Sequence, residues 1–173
     1  RGAGESGGAS GLAAVMLYLV VYAFMTLGAF AMIGLFRRGG LEGENIEDFA
    51  GLAKRQPLAG FLMLVFMVSL AGIPPTAGFI GKFYVFMAAV EAGLTWLAVV
   101  AVIFAAVSAY YYMRVVMVMY MREPEPTAAE PPRLLPSPAL SVVLAFAVAG
   151  VIIFGLFPST LVSLALQSVL SLK

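Results

Sequence analysis

Residues 69–84 read Ser69-Leu-Ala-Gly-Ile-Pro-Pro-Thr-Ala-Gly-Phe-Ile-Gly-Lys82-Phe-Tyr84. The run lies inside an apolar stretch from Gln56 to Glu91 in which Lys82 is the one internal charge. A continuous helix over that stretch would be about 50 Å long at roughly 1.5 Å per residue. That is too long for one straight crossing of a hydrocarbon core roughly 30 Å thick. Pro74 and Pro75 withhold their amide hydrogens and crowd the preceding turn, so the helix is expected to break at Gly72, Ile73, Pro74 and Pro75. Backbone groups freed by a break cannot face lipid, where each unsatisfied polar group costs several kcal/mol. Gly72 to Thr76 is therefore expected to face protein or water.

The rest of the chain supports a membrane setting. Of 173 residues, 62% are hydrophobic and only 11% charged, against roughly 25% charged in a soluble domain. Ten basic and nine acidic residues leave a net charge of +1, which offers no field for nucleic acid. Cysteine and histidine are absent. Disulfides and thiolate iron-sulfur ligation are thereby excluded, and the usual ligands for zinc and haem are missing. No metal or cofactor site is expected in this chain, and electron transfer belongs elsewhere. The chain opens at Arg1 without a signal-peptide layout and is read as a piece of a longer protein.

Four charge-free intervals are long enough to span: Ser6 to Phe36, Gln56 to Gly81, Ala92 to Met113, and Leu134 to Leu172. The fold expected is an all-α integral membrane domain over residues 1–173, with four transmembrane helices at 12–36, 57–90 (broken at 72–75), 94–120 and 138–157. The first ends at Arg37 and Arg38 before Gly39-Gly40. Between the third and fourth, Glu123 to Pro136 holds five of the ten prolines and reads as an extended surface loop. The tail 158–173 reads as a short helix with Ser159 as its N-cap, lying at the interface or against a partner. Gly28, Ala29, Ala31 and Gly34 are small enough for close helix contact.

Loop charges give an orientation. The first loop carries four basic residues, the Glu91 to Gly93 turn none, and the third loop two. Basic residues mark cytoplasmic loops, so loops one and three are expected inside and both chain ends on the outer, periplasmic side.

Lys82 stands out. A lysine near the centre of a span costs about 2.5 to 3.5 kcal/mol on insertion scales, and such residues commonly mark an ion path. Hydroxyls at Ser69, Thr76 and Tyr84 share its helical unit, and Ser108 and Tyr110 on the third span are candidate neighbours for a chain of water. The bland alternative has Lys82 snorkelling to headgroups beside Phe83 and Tyr84. Against it, the apolar run continues from Val85 through Val90, and Glu91 marks the boundary better. For Arg114 snorkelling is the better reading, for Glu91 solvation, and for Tyr110, Tyr111, Tyr112 and Tyr120 an interfacial belt.

The run from Ser69 to Tyr84 resembles the second discontinuous helix of the antiporter-like subunits of proton-pumping NADH:quinone oxidoreductase, respiratory complex I. Three flanks, Tyr22-Ala-Phe-Met-Thr-Leu-Gly-Ala-Phe30, Gly51-Leu-Ala-Lys-Arg-Gln-Pro57 and Ser108-Ala-Tyr-Tyr-Tyr-Met-Arg114, narrow the likeness to the subunit N branch. The resemblance implies the last four of fourteen helices, with the carboxyl end on the outer side of an energy-transducing membrane such as the bacterial inner membrane. It implies that Lys82 is the terminal lysine of a central polar axis, binding and releasing protons through water. NADH, flavin, iron-sulfur clusters and quinone would belong to other subunits of the complex. The partners implied are those membrane-arm subunits, the preceding helices of the same subunit, and lipid. The glutamate and further lysines with which such a subunit relays protons are not in this stretch, so the stretch alone is not expected to pump. Two alternatives stay open: a subunit of a multi-protein sodium/proton antiporter, and a purely structural membrane module.

Overall fold

The computed structural model describes residues 3–38, 45–123 and 136–170. The Gly39-Gly40 stop, most of the proline-rich loop and the last three residues lie outside the described residues. All the described elements are helical: α1 (Ala3–Arg38), a 3-10 turn (Ile46–Phe49), α2 (Leu52–Arg55), α3 (Pro57–Ala71), α4 (Ala77–Glu91), α5 (Thr95–Met121), α6 (Pro138–Leu156) and α7 (Pro158–Leu170).

Local chemistry sets the helix ends. Pro57 and Pro138 each occupy a first helical turn, where an amide hydrogen is not needed. Ser137 caps α6 by accepting from the Leu140 amide at 3.4 Å. Asn45 and Asp48 cap the 3-10 turn, the Asn45 amide donating to Asp48 Oδ2 at 2.9 Å. After Glu91, Gly93 takes φ 78°, and the Leu94 amide closes back on the Ala89 carbonyl at 2.9 Å, which ends α4.

Among the described residues three helical stretches are long and apolar enough to cross a membrane: Gly11–Arg37, Thr95–Met121 and Pro138–Leu156. α3 and α4, at 15 residues each, rise about 22 Å apiece and fall short alone. Helix α1 begins at Ala3, ahead of the apolar part of the span.

Helix α1 is the hub, packed against α3, α4, α6 and α7. Lipid tails are as apolar as leucine, so association here rests on shape and close contact. Val21, Met25, Met32 and Phe36 of α1 and Phe66 of α3 are all but fully buried. The Phe66 ring lies where a Cβ on Gly28 would stand, and the Phe24 ring does the same at Gly150. Phe24 also packs on Phe146 and Phe154 of α6, ring centroids 5.0 and 5.4 Å away. Ala29 is buried as well. Gly34 departs from the close-contact reading, because nothing lies within 4 Å of a Cβ there.

The tail helix packs inward. Leu161, Ala165 and Val169, at helical spacing, belong to the same buried cluster as α1. Ser159 does not cap it. Pro158, with φ fixed near the helical value and no amide to satisfy, takes the first helical position and leaves Ser159 inside the first turn.

Charges of the first loop meet the end of α5. Glu47 lies 3.7 Å from Arg114 and 3.6 Å from Arg122, and Lys54 lies 3.8 Å from Glu123. Arg114 is therefore paired as well as terminal. Phe49 is pinned on Phe36 at a centroid distance of 5.2 Å, which fixes this loop against α1.

Candidate functional site

The chain leaves the helix between Ala71 and Ala77, and each backbone amide over 72–76 is accounted for. Gly72 adopts φ 82°, a left-handed value that glycine tolerates best. Its amide donates to the Ser69 and Val68 carbonyls at 3.0 and 3.1 Å, and the Ile73 amide donates to the Val68 carbonyl at 3.2 Å. Pro74 and Pro75 have no amide hydrogen. The Thr76 amide and hydroxyl both donate to the Ile73 carbonyl, at 3.2 and 2.7 Å. The interruption therefore leaves none of these donors unpaired.

Two side chains complete the break. Ser69, with no exposed surface, accepts from the Gly78 amide at 3.1 Å and donates to the Met25 sulfur at 2.9 Å. It caps α4 from α3, since Thr76 makes no side-chain cap of its own. Lys82 reaches back from α4. Its ammonium donates to the Leu70 and Ala71 carbonyls at 2.8 and 3.2 Å. Those are the two carbonyls at the end of α3 that the Gly72 turn does not use. A cation there also meets the negative end of the α3 dipole, worth about 0.3–1 kcal/mol at an exposed site and up to about 2 in partly buried geometry.

Glycines let these parts meet. A Cβ on Gly78 would strike the Ser69 carbonyl, and one on Gly72 would sit 3.1 Å from Lys82 Cδ and 3.2 Å from its Nζ. A Cβ on Gly155 of α6 would strike the Pro75 carbonyl. α6 thus lies directly on the break from one side. The apex is otherwise open. Ile73, Pro74 and Pro75 are exposed in this chain. Proline has already removed two donors at that apex, and the internal bonds satisfy the others.

Lys82 is half-buried and borders a crevice of about 400 Å³ between α1, α4 and α5. Tyr18, Tyr22, Ser108, Tyr112 and Phe104 line it too. Among the described residues Lys82 makes no ion pair with a carboxylate. Of the hydroxyls singled out from sequence, Ser108 borders this crevice and donates to the Phe104 carbonyl at 2.9 Å. Ser69 is consumed by the cap. Tyr84 is not beside Lys82 but lines a separate hollow with Glu91, Leu17 and Leu166. Tyr110 is 62% exposed and lies off the crevice. In their place stand Tyr18, Tyr22 and Tyr112. Tyr18 and Tyr22, one turn apart on α1 with ring centroids 5.8 Å apart, were legible as two phenols on one face of an otherwise apolar helix. Tyr112 reads from sequence as part of an interfacial belt. Glu91 is exposed at the end of α4, and no group of three or more metal-binding side chains exists among the described residues.

Residues 3–108 match the family model described as NADH:quinone oxidoreductase/Mrp antiporter, transmembrane. The chain is 54% identical over 163 residues to NADH-quinone oxidoreductase subunit N 2 of Rhizobium meliloti (strain 1021), covering 94% of this chain and 33% of that relative. It is 45% identical to NADH-quinone oxidoreductase subunit N of Coxiella burnetii, over 90% of this chain and 32% of the relative. It thus spans about a third of the length of these relatives. Among solved structures, respiratory complex I from Thermus thermophilus with bound aureothin contains a similar chain, with TM-score 0.67 and 31% identity over 88% of this chain and 34% of that one. The Mrp complex from Dietzia sp. DQ12-45-1b shares the fold, with TM-score 0.80 and 22% identity over 93% of this chain and 38% of the other.

Proposed function

Because this chain belongs to the NADH:quinone oxidoreductase/Mrp antiporter transmembrane family, we propose that it is the C-terminal part of a proton-translocating, subunit N-type membrane-arm subunit of an NADH:quinone oxidoreductase. Within it, α3 and α4 cross the membrane together as one broken helix, a fourth span, and Lys82 is the group that takes up and releases the proton. Loops one and three face the cytoplasm and both chain ends face the periplasm of a bacterial inner membrane. Its partners are the preceding helices of its own subunit and the other membrane-arm subunits, and the redox groups reside outside this chain.

The observation that carries this reading is the placement of Lys82, with its ammonium on the freed carbonyls of Leu70 and Ala71 and its flank on an open crevice. An ammonium has three donors. Two are held by α3 and the third is available to water in the crevice. On release of a proton the neutral amine keeps two hydrogens and gains a lone pair, and the charge at the end of α3 is gone. Protonation is thus coupled to the helix end. Movement of charge elsewhere in the membrane arm would shift which form is favoured. This geometry also weighs against the snorkelling reading, because the side chain runs back to the break and not outward to headgroups.

The test is NADH-driven proton uptake by inverted vesicles carrying the full parent complex, wild type against Lys82→Met. Lowered uptake per NADH oxidised, at normal assembly and quinone reduction, is expected; unchanged uptake would reduce Lys82 to a structural cap. Sodium-dependent transport with no NADH-linked activity in the wild type would move the chain to the antiporter branch.

A further inference from the structure

Tyr18, Tyr22 and Tyr112 line the same crevice as Lys82, and none of them is among the residues whose side chain is bonded to protein within the described part of the chain. The Tyr18 and Tyr22 rings stack with centroids 5.8 Å apart, and Tyr112 stands on the α5 wall of the same crevice. Tyr18 and Tyr112 are partly buried and Tyr22 is exposed, so none of the three is sealed in apolar packing. A volume of about 400 Å³ accommodates several water molecules of roughly 30 Å³ each. Hydroxyls that both donate and accept can hold such waters in line.

We propose that the Tyr18, Tyr22 and Tyr112 phenols order the water that carries protons to and from Lys82, making this crevice the lysine's proton port. This rests on the reading of Lys82 as the proton-exchanging group. In each transfer an N–H bond of the ammonium breaks as an O–H bond forms on the adjoining water. A phenol in the chain that gains a proton on its oxygen gives up its own to the next water, so it ends neutral and the charge moves on. The reverse sequence reloads the amine. No oxidant or reductant takes part.

The position of the three residues explains why a hydroxyl is needed and a ring alone does not suffice. The aromatic faces of Phe86 and Phe104 complete the crevice wall and offer no hydrogen bond. Ser108, the other hydroxyl among the crevice walls, already spends its proton on the Phe104 carbonyl.

The experiment replaces each tyrosine by phenylalanine, singly and together, in the full parent complex, with Lys82→Met and Tyr111→Phe in parallel. Phenylalanine keeps the ring and its packing and removes only the oxygen. Tyr111 is 58% exposed and does not line the crevice. Loss of proton uptake per NADH oxidised is expected for Tyr22→Phe, for Tyr112→Phe and most fully for the triple variant, with quinone reduction per assembled complex unchanged and Tyr111→Phe like wild type. A triple variant that pumps normally while Lys82→Met does not would overturn the port and leave the lysine reading standing. Normal pumping by Lys82→Met would remove both. If the triple variant fails to assemble, the single variants decide by the same uptake ratio.

Discussion

The amide of Gly78 in α4 donates to the hydroxyl of Ser69 in α3 at 3.1 Å, so the first turn of α4 is capped from the end of α3. Ser69 has no exposed surface, and its alanine variant would leave a buried amide without a partner. A cost of about 1–3 kcal/mol is expected for such a group. Measured as thermal loss of the folded subunit from the purified complex, Ser69→Ala should melt clearly below wild type. Ser163→Ala, which removes an exposed hydroxyl bonded within its own helix to the Thr160 carbonyl, should not.

Glycine substitutions separate close contacts from open space. An alanine at Gly78 meets the Ser69 carbonyl, and one at Gly155 meets the Pro75 carbonyl. Backbone cannot swing aside as a side-chain tip does, so each change should cost about 1–3 kcal/mol or more by overpacking. Gly34→Ala meets nothing within 4 Å and should be neutral or stabilising, since alanine is the better helix former by about 1 kcal/mol. Subunit level in membranes and melting of the solubilised complex give the ranking directly.

α3 ends at Ala71 and α4 begins at Ala77, around a pair of prolines whose chemistry is local: a missing amide and a ring clash act wherever the chain goes. Membership of a membrane fold was equally plain from the spacing of charges. What lay beyond reach was helix rotation. The helices here are apolar around their whole circumference, so no polar stripe tells which face turns inward. Sequence spacing therefore points to Tyr84 and Tyr110 as neighbours of Lys82, while Tyr18, Tyr22 and Tyr112 line its crevice. The capping partners of Lys82 and Ser69 escaped for a different reason. Each joins the end of one half-helix to the other across a turn whose geometry only the folded backbone defines.

The ion pairs of Glu47 with Arg114 and Arg122 are 3.7 and 3.6 Å long, and all three side chains are about half exposed. Such pairs contribute about 0–1 kcal/mol and are screened by salt. Glu47→Ala should therefore shift the melting of the complex only slightly in dilute buffer, and the difference from wild type should vanish at about 1 M salt. A large loss persisting at high salt would mean that the loop carrying Glu47 is held by charge and not, as the packing of Phe49 on Phe36 indicates, by its buried ring.

Gly72 offers a way to disturb Lys82 without changing it. Its φ of 82° costs any residue with a Cβ about 1–2 kcal/mol. The new methyl would also stand 3.1 Å from Lys82 Cδ and 3.2 Å from Nζ, pressing the ammonium away from the Leu70 carbonyl. Gly72→Ala should thus lower both the melting temperature of the subunit and the proton uptake per NADH oxidised. Backbone strain alone accounts only for the first. Adding Lys82→Met separates the two effects: if the glycine change acts on pumping through the lysine, it should lower uptake in the wild-type background and cause no further loss when Lys82 is already methionine. An additive loss would place the action of Gly72 elsewhere in the break.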